Sequence, residues 1–143
     1  MTLKLFKAMW FLSVLVVLVN LLFVYASLPE EVIVREERVS VSKEWLFYIL
    51  MISIVLINLL VYLFKMMAQD EENLRSWFHG LIIAINIFLI ISMQALNVYN
   101  SNEMFDHNRV NFFLTGSLGL IVLWAALWPL YLVFQKFFFK QAV

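Results

Sequence analysis

The chain contains no cysteine. That removes disulfides, Cys-ligated metals and thiol nucleophiles together. Glycine and proline are scarce, at three and two residues, so there is no Gly-rich phosphate loop and no Pro-rich linker. No Asn-x-Ser/Thr acceptor sequence occurs. Charge is scarce too. Only 14% of the 143 residues are charged, ten basic against ten acidic, for a formal net charge of zero. Nucleic acid is therefore not an expected partner, because nothing here would attract its phosphates.

Apolar side chains fill the space left by these absences. The chain is 64% hydrophobic, with a mean hydropathy of +0.91. Soluble domains are nearer half apolar. At this length one domain is expected. The charges are confined to the termini and to short segments between four apolar runs, at about 5–28, 45–65, 76–97 and 110–134. Each run is near the roughly 20 residues that a helix needs to cross a bilayer. Backbone polar groups in lipid must be bonded within the structure, and the alternation of barrel strands is absent, so the runs read as helices. The expected fold class is an all-α integral membrane protein: four transmembrane helices in an antiparallel bundle with short loops. Lys4 and Lys7 before the first run could mark a signal peptide cleaved after Ala26. The run is longer than the roughly 7–15 apolar residues of such a segment, so a retained helix is expected.

Four spans place both termini on one side. That side holds Lys4, Lys7, Lys65, Arg75, Lys136 and Lys140, and the other holds Arg35, Arg38, Lys43 and Arg109. Basic residues collect on the cytoplasmic side, so the termini are expected there, in a bacterial inner membrane. Trp10, Trp45, Trp77 and Tyr99 fall near the ends of the runs, as an aromatic belt requires. Residues 29–44 form the longest connection. Val32-Ile33-Val34 and Val39-Ser40-Val41 could pair as a hairpin, but Glu36-Glu37 is poor chemistry for a tight turn, and an extended solvated loop is expected. Glu103, Asp106, His107 and Arg109 in the last loop lack metal-ligand spacing.

No Asp, Glu, Lys, Arg or His lies deep within a run, and buried ionisable groups are what coupled transporters carry. His79, near the start of the third run, reads as an interfacial histidine. Amides do lie deep. At 1.5 Å per residue, Asn58 and Asn86 reach one level, and Asn20 lies nearer Ser92 and Gln94. These side chains could line a polar pathway or hold helices together; helix–helix packing is the expectation. Thr115, Gly116 and Gly119 have the spacing that lets helices approach closely, inside the bundle or against a partner. Pro129 should bend or end the fourth helix. Phe137-Phe138-Phe139 between Lys136 and Lys140 reads as an interfacial anchor.

Two stretches carry a resemblance. Tyr25-Ala26-Ser27-Leu28-Pro29-Glu30-Glu31-Val32, followed by Ser42-Lys43-Glu44-Trp45-Leu46-Phe47-Tyr48, resembles the Leu-Pro-x-x-Val loop and Ser-Lys-x-x-Phe-(Phe/Tyr) helix start of the SdpI-like immunity and signalling membrane domain of bacteria. Leu74-Arg75-Ser76-Trp77-Phe78-His79-Gly80, Asn86-Ile87-Phe88, and Phe105-Asp106 with Arg109 are similar to small four-helix inner-membrane proteins of Bacteroidetes. The family loop continues Val-Pro-x-His-(Phe/Tyr)-Asn and later Gly, whereas this chain reads Val32-Ile33-Val34-Arg35-Glu36-Glu37-Arg38. The His and the Gly are missing, so no ligand role carries over. The resemblance implies an inner-membrane four-helix unit and no reaction.

The leading functional expectation is a non-enzymatic membrane protein that acts by association, as an accessory subunit or partner of a larger envelope complex. Its partners would be the lipid bilayer and another membrane protein or a second copy. No catalytic residue, cofactor or metal site is expected. The alternatives are an immunity-like or signalling membrane protein, and a small oligomeric transporter or channel. An intramembrane enzyme ranks last, because no nucleophile–base set is visible.

Overall fold

The computed structural model describes residues 2–35, 39–100 and 107–139. In chain order these form α1 (Thr2–Ser27), β1 (Glu31–Arg35), β2 (Val39–Ser42), α2 (Lys43–Met67), α3 (Glu72–Tyr99) and α4 (His107–Phe139). All four helices are long and apolar enough to cross a membrane. Helices α2, α3 and α4 begin before their apolar runs and end after them, so their polar ends are helical as well.

Local chemistry explains the ends. Ser42 caps α2, its hydroxyl accepting from the Trp45 amide at 3.4 Å. Glu44 stands in the first turn and Lys65 in the last, each complementing the helix dipole. The Ala68 amide closes α2 onto the Phe64 carbonyl at 2.9 Å. Glu72 opens α3 with a carboxylate in its first turn. At the other end of α3, the Asn100 amide donates to the Leu96 carbonyl at 3.1 Å.

The connection at 29–44 differs from the expected solvated loop. β1 and β2 pair antiparallel, with Glu31 opposite Ser42, Val32 opposite Val41 and Ile33 opposite Ser40, and an irregularity before Arg35–Val39. Residues 36–38, where turn chemistry argued against a hairpin, lie outside the described residues. Burial decided the matter instead. Val32 is completely buried and joins Val17, Leu21, Val24, Leu28, Ile54 and Met93 in one apolar core. The Lys43 amide then donates to the Glu30 carbonyl at 2.8 Å, tying the start of α2 to the strand entry. Lys43 also lies over the Tyr25 ring, 4.4 Å from its centroid. The chain is thus helical with one two-stranded hairpin, not purely helical.

Helix α3 is the centre, meeting α1, α2 and α4, and its interface with α1 is the most extensive. Contacts between α1 and α3 ascend together along both helices: Ser13 with Asn86, Asn20 with Gln94, Ser27 with Asn97. Contacts between α2 and α3 run in opposite order, Asn58 with Asn86 and Phe64 stacked on Phe78 at 4.1 Å. The α4 backbone approaches only α3 among the described residues, and Phe6 of α1 reaches its Trp124. Only 6% of the apolar window of α4 is buried, against 28% of α3. Pro129 does not end α4. The helix continues through this exposed position to Phe139.

Candidate functional site

Polar side chains converge where α1, α2 and α3 meet. Asn58 and Asn86 exchange two hydrogen bonds, Asn58 Nδ2 to Asn86 Oδ1 at 3.2 Å and Asn86 Nδ2 to Asn58 Oδ1 at 3.0 Å. Asn58 Nδ2 also donates to the Ile54 carbonyl at 2.8 Å, and Trp10 Nε1 donates to Asn58 Oδ1 at 2.9 Å. The second donation from Asn86 Nδ2 goes to Ser13 Oγ at 3.0 Å, and Ser13 donates in turn to the Trp10 carbonyl. An amide has two donor hydrogens and two acceptor lone pairs. Asn58 uses all four inside the chain. Asn86 is fully buried and Asn58 nearly so, at 8% exposure. A group in this state has little left to offer a substrate or an ion.

The α1–α3 seam carries two further polar contacts. Gln94 Nε2 donates to Asn20 Oδ1, and Ser27 Oγ donates to Asn97 Oδ1 at 3.1 Å. The α1 residues are Ser13, Asn20 and Ser27. A seven-residue step returns to nearly the same face of a helix, so one polar row meets α3 along its length. Asn20 Nδ2 is buried with no hydrogen-bond partner, which makes this rung the incomplete one. The sequence reading had singled out Asn20 and Gln94 but missed Trp10, Ser13, Ser27 and Asn97. The seven-residue spacing on α1 was the available signal.

His79, expected at the membrane interface near the start of the third run, is buried between helices at 3% exposure. Its Nδ1 lies 2.7 Å from the Arg75 carbonyl, and since a carbonyl only accepts, that nitrogen carries the proton. The ring packs edge-on against Trp10, with centroids 5.8 Å apart at 89°.

The α3–α4 contact is a tryptophan pair. Trp77 Nε1 donates to the Trp124 carbonyl at 2.8 Å, and Trp124 Nε1 donates to the Trp77 carbonyl at 2.9 Å. Gly80 makes this approach possible. A Cβ at that position would stand 2.3 Å from Trp124 Cζ2. The spacing of Thr115, Gly116 and Gly119 allows close helix approach inside the bundle or against a partner, and the described residues show no approach inside the bundle at either glycine. Beyond their own helix backbone, no atom of the described residues lies within 4 Å of a Cβ added at either glycine, and Thr115 is exposed. The reason is the rotation of α4. Trp124 and the buried Ser117 turn toward the bundle, which leaves Thr115, Gly116 and Gly119 facing away.

Among the described residues no three His, Asp or Glu side chains are grouped as a metal site would need. Glu103 and Asp106 lie outside the described residues, and His107 begins α4. Comparison with protein-family models, with curated proteins and with solved structures gives no match.

Proposed function

We propose that this chain is a four-span protein of the bacterial inner membrane, with both termini cytoplasmic and the β hairpin outside. We further propose that it works by association with a second membrane protein, as an accessory subunit, and performs no chemistry of its own. The observation that carries this reading is the placement of α4. It is fastened to α3 on one face by the Trp77–Trp124 pair and turns Thr115, Gly116 and Gly119 outward. Fluid acyl chains do not need a small-residue face, whereas a partner helix uses one for close backbone approach. The interior supports the same view. Its amides bond chiefly to one another, which suits packing better than a solute path.

Purification in mild detergent, followed by mass spectrometry of the intact particle, tests the reading. A stoichiometric second membrane protein supports it. Solute flux through the purified chain in liposomes, or catalytic turnover by it, would overturn it. Protection against a particular toxin that is lost on deletion, with no partner retained, would move the chain to an immunity role.

A further inference from the structure

We propose that the groove between the end of α2 and the start of α3 binds the phosphate of an anionic phospholipid headgroup. The groove encloses about 460 Å³ and is lined by Tyr62, Lys65, Met66, Gln69 and Arg75. Tyr62, Lys65 and Met66 share one face of the last turns of α2, at spacings of three and one residues, and Gln69 follows in the link just past the helix end. Arg75 comes from the first turns of α3 and completes the opposite wall.

Two cations line this groove and no carboxylate does. Asp70, Glu71 and Glu72, on the nearby link and first turn of α3, are exposed. Neither Lys65 nor Arg75 forms an ion pair among the described residues, and Arg75 Nε is buried without any hydrogen-bond partner. A buried guanidinium nitrogen left unbonded is costly, so this cation is incompletely satisfied by its own chain. Guanidinium and ammonium groups together suit a phosphodiester, the first as a planar fork and the second as a point charge. The Tyr62 hydroxyl and the Gln69 amide supply further donors for the remaining oxygens.

Lipid is favoured over free phosphate by the rest of the lining. Tyr62 and Met66 are 56% and 70% exposed, and they continue from the cations onto the apolar surface of α2. A headgroup bound at Lys65 would lay its glycerol and upper acyl chain along them. Basic pockets between helices at the cytoplasmic face recognise headgroups in this way. The choice of lipid rests on the four-span reading.

The test uses the full chain, purified and delipidated in a neutral detergent. Phosphatidylglycerol, phosphatidylethanolamine and inorganic phosphate are added separately, and binding is followed by native mass spectrometry and thermal melting. Phosphatidylglycerol is expected to remain bound and raise Tm, and the other two are not. Lys65→Gln and Arg75→Gln should each weaken phosphatidylglycerol binding roughly fivefold, and Lys136→Gln, outside the groove, should not. Should Arg75→Gln fail to fold, the exposed Lys65 decides alone. Wild-type affinity in Lys65→Gln would overturn the site. Equal binding of phosphatidylethanolamine would overturn its charge selectivity, and equal stabilisation by inorganic phosphate would overturn the lipid assignment. Binding in detergent does not depend on which side of a membrane the groove faces, so a reversed topology and a failed site give different results.

Discussion

Trp77 and Trp124 are joined reciprocally: each indole N–H donates to the other residue's main-chain carbonyl, at 2.8 and 2.9 Å. Helical carbonyls already accept one amide, and the second lone pair of each is used here. Trp77 also packs on Trp128, with ring centroids 6.1 Å apart. With Phe6 against Trp124, this cluster forms the aromatic part of the contact between α4 and the other helices.

Gly80 is the position on which that attachment depends. Gly80→Ala should cost about 1–3 kcal/mol, since the new methyl overlaps a rigid indole and not the end of a flexible chain. Trp124→Phe removes one indole donor and should cost about 1 kcal/mol. Thermal unfolding in detergent, with indole fluorescence as the probe, measures both. An unchanged midpoint for Gly80→Ala would show that α4 is not held there.

The Asn58–Asn86 pair gives a second prediction. Asn58→Leu and Asn86→Leu should each destabilise by roughly 0.6–2 kcal/mol, the range for polar contacts between helices in a bilayer. The double variant should cost less than the sum, because each single change strands the same partner. Strict additivity in a double-mutant cycle would contradict the pairing.

Asn20 should matter less. Its Nδ2 has no partner, so the native side chain already carries an unsatisfied group. Asn20→Leu forfeits one hydrogen bond to Gln94 and relieves that burden. Its midpoint should lie closer to wild type than that of Asn86→Leu. The opposite order would mean that the α1–α3 seam, and not the Asn58–Asn86 crossing, carries the polar stabilisation.

Helix α1 should persist in the mature protein. It supplies Val17, Leu21 and Val24 to the core and forms the most extensive interface with α3. Intact-mass measurement of the purified chain should find Thr2–Ser27 present. A mature N-terminus at Ser27 would refute this and leave α3 stripped on one side.

Much of this architecture is written in the sequence, and the exceptions have identifiable causes. Four apolar runs separated by charge give four helices, because run length and the need to bond every backbone group leave little choice, even where α3 holds Gly80 and α4 holds Gly116, Gly119 and Pro129. The level shared by Asn58 and Asn86 is recoverable from residue counting, since the rise per residue is fixed. Rotation about the helix axis is not recoverable in the same way. In α4 nearly every residue is apolar, so no polar face marks which side meets α3, and the glycines could be assigned to either. Gly80 carries no signal of its own, because its role appears only once Trp124 lies against it. The hairpin failed for a related reason. Turn chemistry argued against it, while Val32 finds its place in a core built mainly by residues on other elements.

Membrane sidedness can be read cleanly because there is no native cysteine to mask. Ser40→Cys should react with an impermeant reagent on intact spheroplasts, and Gln69→Cys should not. The reverse pattern would place the hairpin in the cytoplasm.

The most direct test of association through α4 is the mass of the detergent-solubilised particle with and without Gly119→Leu. Beyond its own helix backbone, no atom of the described residues lies within 4 Å of a Cβ added at Gly119, so a leucine there should leave Tm and membrane insertion unchanged. A partner helix seated on Thr115, Gly116 and Gly119 would be displaced by the added bulk. The account predicts a heavier wild-type particle containing a second membrane protein, and a Gly119→Leu particle reduced to this chain alone with the same Tm. A wild-type particle that is already a lone chain, or a Gly119→Leu particle that keeps its partner in full, would contradict it.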